Sequence, residues 1–359
     1  MTTTESRDFP TTVVDRAELP KLVAKPSAAK GLLLVDPAGA TAFPLASAER
    51  DEAARLASET LISAGIKSSD RVVVALNNDG DLTGALIARA VADIAEAAAS
   101  TGPRGRMRTL RVLEAVRANV LISTPSGAAD FLARMHMEFL VDPLDLELRL
   151  LILTGEIADA KTVAHLAKEF GATVVELFLD PISGIPVAHR QPAKETELTV
   201  VREGELGLVD SEVTAADGSA LSEIAVHHSW HPALTHTAVR TGYLTAPGDT
   251  ISAPVHTTGD RILVRGGWLS ITALTKALRA IDGISQWTFR VTHEGTLDVA
   301  TLSVSFNRAS LVANGMWKSR IAQSLTALTP VRIDVEVDPT VREETAEPRI
   351  LDVRGHHIY

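Results

Sequence analysis

The sequence predicts an α/β protein in which a β-rich section and a small α+β domain follow a larger part of alternating strands and helices. Between about residues 31 and 185, short apolar runs alternate with segments whose apolar residues recur every three or four positions. From 186 to 256 this helical period gives way to short alternating runs. We therefore expect an N-terminal domain at 1–256, a hinge at 257–259 and a C-terminal α+β domain at 260–359.

The α/β core at 31–185 is predicted from strands and helices in strict alternation, which is typical of a mostly parallel sheet covered by helices. The predicted strands are 31–35, 70–76, 120–122, 148–153 and 173–178. The predicted helices are 47–64, 82–99, 108–118, 126–135 and 157–170.

The two later sections have patterns of their own. In the β-rich subdomain the alternating runs are 198–201, 206–209, 223–226 and 238–244. In the last section the order is strand 262–264, helix 270–281, strands 287–293 and 297–306, helix 312–328 and strand 331–337. This βαββαβ order predicts a ferredoxin-like domain.

Composition excludes several classes of protein. The formal net charge of −10 argues against non-specific binding to nucleic acid or to anionic membranes. The chain has no cysteine, so disulfides, thiolate nucleophiles and cysteine-based zinc sites are excluded. The polar first 20 residues lack the apolar core of a signal peptide, and no run has the length of a membrane span. We expect a cytoplasmic protein.

A small-residue loop follows the first predicted strand and contains Gly39 and Thr41. Loops of this kind, between a strand and a helix, bind phosphate through backbone N–H groups and hydroxyls. Residues 36–42 hold one glycine and one hydroxyl, followed by Phe43 and Pro44. The loop is therefore either a phosphate loop that has lost most of its donors or a turn of unrelated origin.

The order of several motifs along the chain carries a family resemblance. The motifs are DPAGATAFPL, SSDRVVVALNNDGDLTGALIARA, VLISTPSGAADFLARM, RLLILTGEIADAKTVAHLAKEFGATVVELF, AVRTGYL, GDRILVRGGWLS and VRIDVEVDPTVREETAEPRILDVR. In this order they resemble the phenylacetate–coenzyme A ligase family of adenylate-forming enzymes. The resemblance implies activation of a small carboxylic acid by ATP and Mg²⁺ to acyl-AMP, then transfer to CoA. A homodimer is a further expectation.

The resemblance also assigns positions to the nucleotide site. These positions are Gly39 and Thr41 in the phosphate loop, Gly155 and Glu156 at a strand end, Phe178 beside adenine, Asp180 near the magnesium ligand, Tyr243 at the ribose carboxylate, Asp260 in the hinge and Ala346 at the catalytic lysine. For Glu156 and Asp180 the alternative role is a cap at a helix or turn.

At these positions the residues that the family uses to bind phosphate, metal and ribose, and the catalytic cation, are replaced. A phenol at Tyr243 does not accept two diol hydrogen bonds as a carboxylate does, and Ala346 carries no charge. Two functions remain open. The chain is either a ligase that tolerates altered motifs, or a catalytically impaired relative that binds an acyl or aryl ligand or a partner protein. A scaffold subunit paired with an active paralogue is a third, weaker possibility.

Histidines concentrate in the β-rich section, at His227, His228, His231 and His236. Imidazoles bind metals without help from cysteine, so a metal site is one interpretation. Their spacing matches no specific metal motif, and solvated loop histidines are the alternative.

Overall fold

The computed structural model describes residues 9–23, 25, 27–35, 42–77, 83–329 and 331–359. Gly39 and Thr41 lie outside these residues. The chain divides into two compact units, 1–255 and 256–359, and each is described by itself. Several sheets combine with helices, so the predicted α/β class is confirmed. Within the described residues, no helix is both long enough and apolar enough to cross a bilayer.

The first unit contains strands and helices in close alternation. Its strands are β1 (Val13–Val14), β2 (Leu32–Val35), β3 (Ala42–Leu45), β4 (Arg71–Ala75), β5 (Ala97–Ser100), β6 (Val120–Ser123), β7 (Leu150–Thr154), β8 (Thr173–Leu179), β9 (Pro186–Arg190), β10 (Thr199–Val200), β11 (Leu206–Thr214), β12 (Ala220–His227) and β13 (Ala238–Thr245). Its α-helices are α1 (Leu19–Leu22), α2 (Ser47–Ser63), α3 (Thr83–Ile94), α4 (Arg106–Val116), α5 (Pro125–Arg134) and α6 (Ala160–Phe170).

The main sheet of this unit has seven strands in the order β10-β9-β8-β7-β6-β4-β5. From β5 to β8 all neighbours are parallel, and β9 and β10 continue antiparallel. Val72, Val73 and Val74 are inaccessible to solvent because helices cover both faces of the parallel strands. The carboxyl ends of these strands therefore meet at one edge, where the loops that follow them can form a site.

A buried carboxylate holds the opposite edge of the parallel strands. Asp70, 1% exposed, accepts hydrogen bonds from the Lys67 N–H at 2.7 Å, Asn119 Nδ2 at 3.1 Å and Arg149 Nε at 2.7 Å. Burial acts to raise the pKa of Asp70, but the bonds from Arg149 and Lys67 outweigh it and hold the pKa below its usual value. One side chain thus ties together the starts of β4, β6 and β7.

A smaller antiparallel sheet, β11-β12-β13, completes the first unit, with β1 parallel beside β13. Strands β2 and β3 pair antiparallel, with Leu34 opposite Phe43. Their buried side chains Leu34, Phe43 and Leu45 pack in one cluster with Val239 of β13 and with Leu234, which lies in the segment between β12 and β13. The β-rich section is thereby joined to the rest of the unit.

The second unit has its own core. Its strands are β14 (His256–Thr258), β15 (Arg261–Val264), β16 (Gly267–Ser270), β17 (Ile284–Glu294), β18 (Leu297–Phe306), β19 (Ile333–Val337), β20 (Arg349–Asp352) and β21 (His357–Ile358). Its α-helices are α7 (Ile271–Arg279), α8 (Ala309–Val312) and α9 (Met316–Leu328). Helices α7 and α9 bury Leu278 and Leu325 against Phe289 and Leu302 of the sheet.

The predicted ferredoxin-like order is not confirmed. The four-stranded sheet has the order β19-β18-β17-β20, and β15 lies outside it. Arg265 (φ +49°) and Gly266 (φ +74°) turn the chain back at once, so β15 pairs with β16 as a hairpin. The fourth strand of the sheet is β20, which pairs parallel with β17 and which the sequence pattern did not identify.

Replacing Asp70 with alanine should lower the free energy of unfolding by about 3 kcal/mol, because Arg149 and Asn119 would lose a buried partner. Urea-induced unfolding of the full chain measures this. The control is Asp93→Ala, since Asp93 is exposed and should change stability by less than about 0.5 kcal/mol. Equal effects of the two variants would contradict the role given to Asp70.

Candidate functional site

A cleft lies at the carboxyl ends of β7 and β8 in the first unit. It encloses about 540 Å³ of space, including space open to solvent. Its lining residues are Pro125, Leu153, Thr154, Gly155, Glu156, Ile157, Ala158, Glu176, Leu177, Phe178, Leu179, Arg190, Leu198, Tyr243, Ala253 and Pro254. Four of the residues assigned from sequence, Gly155, Glu156, Phe178 and Tyr243, therefore come together here.

Glu156 is fixed by the helix across the cleft. Gly155 has φ +81°, a conformation that lets the chain turn sharply after β7. The Glu156 carboxylate then accepts hydrogen bonds from the Ser126 N–H at 2.8 Å and Ser126 Oγ at 2.6 Å, in the first turn of α5. Glu156 therefore caps the start of α5. The helix that follows it in the chain, α6, is capped by Asp159 instead.

Tyr243 packs against Phe178 at one end of the cleft. The ring centroids are 5.4 Å apart, the rings are tilted by 59°, and only 7% of Tyr243 is exposed. The preceding backbone is rigid, because Glu223 accepts hydrogen bonds from the Gly242 N–H and from Arg240, both at 2.7 Å. Burial raises the pKa of Tyr243, so the phenol stays neutral.

Asp180 is absent from the cleft lining and is enclosed by donors. Its carboxylate accepts hydrogen bonds from His228 Nε2 at 2.7 Å, from the Ile182 and Ser183 N–H groups, each at 3.0 Å, and from Ser183 Oγ. Asp180 and His228 are each 1% exposed. Burial acts to raise the pKa of Asp180, but the His228 and Ser183 contacts outweigh it and lower the pKa. Because donors surround both oxygens, Asp180 does not fit a magnesium ligand.

The other histidines also have separate partners. Both ring nitrogens of His227 face carbonyls, Gly204 O at 3.1 Å and Thr235 O at 2.8 Å. His231 Nε2 donates to Pro44 O at 2.8 Å, while His236 is exposed. In the part of the chain that the structure describes, no three His, Cys, Asp or Glu side chains are placed to hold a metal. The four histidines do not converge on a common centre.

Phe43 anchors the exit of the loop that the sequence singled out. Its ring lies 4.3 Å from that of His231, 5.6 Å from that of His228 and 6.2 Å from that of Trp230, measured between centroids. This aromatic cluster is part of the interior. The bulky residue at position 43 is therefore a packing residue.

In the second unit, Asp260, assigned to the hinge, is hydrogen-bonded at the start of a helix, and Ala346, assigned to the catalytic lysine, lies on the surface. Ser270 is the N-cap of α7, and Asp260 supports this helix start by accepting hydrogen bonds from the Thr272 N–H at 2.8 Å and Ser270 Oγ at 2.6 Å. Ala346 is exposed, and its N–H donates to Ser285 O at 3.1 Å. Exposed Glu344 and Glu347 flank it, so the local charge is negative.

The segment 256–258 is paired with the tail of the same unit. The Thr257 N–H donates to His356 O at 2.6 Å, and Thr258 Oγ1 donates to Ile358 O at 3.0 Å. Thr257 is buried, and burial lowers the pKa of His357 to about 4, so its ring is neutral at pH 7.

An ion pair of Glu176 and Arg190 lies in the cleft and was not predicted from the sequence. Arg190 Nε lies 2.5 Å from Glu176 Oε2, across the antiparallel pair β8 and β9. Glu176 precedes Phe178 by two residues and therefore lies on the same face of the strand. This spacing in the sequence could have indicated that Glu176 faces the site. The antiparallel register that adds Arg190 is not apparent from the pattern.

Comparison with known proteins gives the fold. No protein-family model and no curated protein matches the sequence. Among solved structures, 2-hydroxyisobutyryl-CoA ligase, in complex with 2-HIB-AMP and CoA, superposes with a TM-score of 0.74 at 16% identity, over 95% of this chain and 79% of the other.

Two further structures extend the likeness. Malonyl-CoA ligase has a TM-score of 0.62 at 12% identity, over 87% of this chain and 71% of the other. The amide bond synthetase McbA from Marinactinospora thermotolerans has a TM-score of 0.60 at 12% identity, over 86% of this chain and 65% of the other. The chain therefore shares the fold of these CoA ligases and of this amide bond synthetase.

Acid should reveal the Asp180–His228 contact. The pKa of Asp180 in the folded state lies below its usual value of 3.8. The ionised carboxylate therefore contributes fully to the free energy of unfolding above pH 3.8, and this contribution is lost as the pH falls through the folded-state pKa. We expect Asp180→Asn to cost about 3 kcal/mol at pH 7. The variant should also lose less free energy of unfolding than wild type between pH 7 and about pH 3.

Urea unfolding at several pH values measures both effects. Asp249→Asn is the control, because Asp249 is exposed and should leave the pH profile unchanged. An Asp180→Asn profile parallel to that of wild type would show that Asp180 carries no special acid dependence.

Proposed function

We propose that this protein uses the adenylate-forming fold to bind a small carboxylic acid, or its acyl derivative, and that its formation of acyl-AMP is impaired. The observation that carries the proposal is Tyr243, a buried neutral ring packed on Phe178 at the position where the family resemblance expects a ribose-binding carboxylate. The nucleotide end of the cleft is changed, while its apolar part is retained.

The effect on ribose follows from hydrogen-bonding capacity. A carboxylate accepts a hydrogen bond from each hydroxyl of the diol, and such charged bonds contribute about 1.5–3 kcal/mol each. A phenol has one oxygen, and the Tyr243 ring takes up the space beside Phe178. Binding of ATP should be weaker for both reasons.

The catalytic cation is the second loss. The resemblance places the lysine that neutralises the transition state at Ala346, between exposed glutamates. Loss of one such stabilising group lowers a rate by about 10²–10³. The magnesium ligand is a third loss, since the donors around Asp180 leave that carboxylate no place for a metal. Gly39 and Thr41, outside the described residues, stay predictions.

The rest of the cleft suits an aryl or short acyl group. Leu153, Ile157 and Leu198 give it apolar walls beside Phe178. Arg190 is the cation among the lining residues, and its Nε is already paired with Glu176. An acid would pack on the apolar walls, with its carboxylate near the Arg190 guanidinium.

An active ligase is the competing function, favoured by the activity named for 2-hydroxyisobutyryl-CoA ligase. It would need ATP, Mg²⁺ and CoA, and another cation in place of the missing lysine. Calorimetric titration with Mg-ATP, followed by pyrophosphate exchange with phenylacetate, malonate and 2-hydroxyisobutyrate, separates the two. We expect no ATP binding up to millimolar concentration and no exchange. Exchange with any of these acids would establish the ligase and refute impairment.

Replacing Tyr243 with aspartate tests whether the missing carboxylate weakens nucleotide binding. Tyr243→Asp should bind Mg-ATP at least about 10-fold more tightly than wild type, because it adds a diol acceptor and removes the ring. Tyr243→Phe is the matched control. It keeps the ring and should leave Mg-ATP binding unchanged.

Calorimetry measures both variants after circular dichroism shows that they are folded. If neither variant differs from wild type, Tyr243 is not what limits nucleotide binding. If Tyr243→Phe alone restores it, the hydroxyl is responsible, not the missing carboxylate.

A further inference from the structure

The outward face of α4 concentrates positive charge on an acidic protein. Residues 103–117 contain five arginines and one glutamate, whereas the whole chain has a net charge of −10. Arg108 and Arg111 are exposed and three residues apart, so they lie on one side of α4, and exposed Arg104 lies in the loop just before the helix. Met107 lies among them and is 41% exposed. We call Arg104, Met107, Arg108 and Arg111 the α4 face.

The arginines of the α4 face form no ion pair within the described structure, and the carboxylate beside them on the helix is exposed Glu114, three residues after Arg111. Arg106, on the inner side, pairs with Asp130 at 2.6 Å. Among the residues that the structure describes, no carboxylate forms an ion pair with Arg104, Arg108 or Arg111. Most other arginines of this unit do have such partners, as Arg149 does with Asp70.

The start of the α4 face is organised before any partner binds. Arg108 Nη2 donates to Thr101 O at 2.9 Å and to Arg104 O at 2.7 Å. Arg106 Nη1 donates to Pro103 O at 2.7 Å, so arginine side chains hold the loop that leads into the helix. Side chains that are already ordered lose less conformational entropy on binding.

The α4 face also lies on the side of the sheet where the cleft opens. Helix α4 begins just after β5, and β5, β4, β6 and β7 are parallel, so its start is at the carboxyl edge. A methyl group added at Gly127 in α5 would lie 3.7 Å from Arg106 Nη2. The first turn of α5 is bonded to Glu156 of the cleft.

We infer that the α4 face is a docking surface for an acidic protein partner. Exposed arginine together with methionine is characteristic of protein interfaces, where both are enriched over the general surface. Arg108 and Arg111 on the helix, with Arg104 in the loop just before it, match a short acidic segment. A long polyanion such as nucleic acid would meet the negative charge of the remaining chain. The inference does not depend on the proposed ligand of the cleft.

The test measures binding of a fluorescein-labelled alanine-rich helical peptide of about 15 residues, with glutamates spaced to match the three arginines. Fluorescence anisotropy with the full chain at low and moderate salt gives the affinity. The triple variant Arg104→Gln, Arg108→Gln, Arg111→Gln should bind about 10-fold more weakly, since each exposed pair contributes about 0.5 kcal/mol. Its salt dependence should also be smaller.

The matched control removes the same charge elsewhere on this unit, at exposed Arg89, Lys161 and Lys168, each replaced by glutamine. This variant should bind the peptide as wild type does. The inference fails if wild type does not bind the peptide or if both triple variants weaken it equally. It also fails if a single-stranded oligonucleotide or 3′,5′-ADP displaces the peptide at equal charge concentration, because the face would then be a general anion site.

Discussion

The hydrogen bond between Asp180 and His228 is the constraint on which the cleft depends. Asp180 follows β8 of the parallel sheet, and His228 follows β12 of the antiparallel sheet, so their contact joins the two sheets in the interior. Phe178 and Tyr243 come from the same two sheets, and their rings pack together in the cleft. A buried pair of this kind requires its partners to stay together, because an unpaired carboxylate in the interior is costly. The contact of the two rings is therefore held in place.

The parallel core could be predicted because its strands are fully apolar and its helices are amphipathic. The runs at β4, β6, β7 and β8 fall where the pattern placed them. The predicted helix 82–99 includes residues 97–99, since alanine favours helix, yet these residues belong to β5 through pairing with β4. Likewise, nothing in the local pattern of 349–352 indicates that β20 takes the place expected for 262–264. Tertiary pairing decided both cases.

The candidate site, like the fold, could be predicted from the sequence only in part. Gly155, Glu156, Phe178 and Tyr243 were assigned through the family resemblance, and the structure brings all four together in the cleft. The surroundings of Asp180, His227 and His231 could not be read from the sequence, because their partners are carbonyls and side chains from other elements. Four histidines in one stretch suggested a metal, whereas the fold gives His227, His228 and His231 separate hydrogen-bond partners and leaves His236 exposed. Sequence proximity among histidines is weak evidence of a shared centre.

The central claim is that the cleft holds an acid without the help of nucleotide. The most direct measurement is calorimetric titration of the wild-type chain with phenylacetate, first alone and then in the presence of millimolar Mg-ATP. We predict the same heat and the same dissociation constant in both titrations, with no AMP formed. Binding that appears only with Mg-ATP, or release of AMP during the titration, would contradict it.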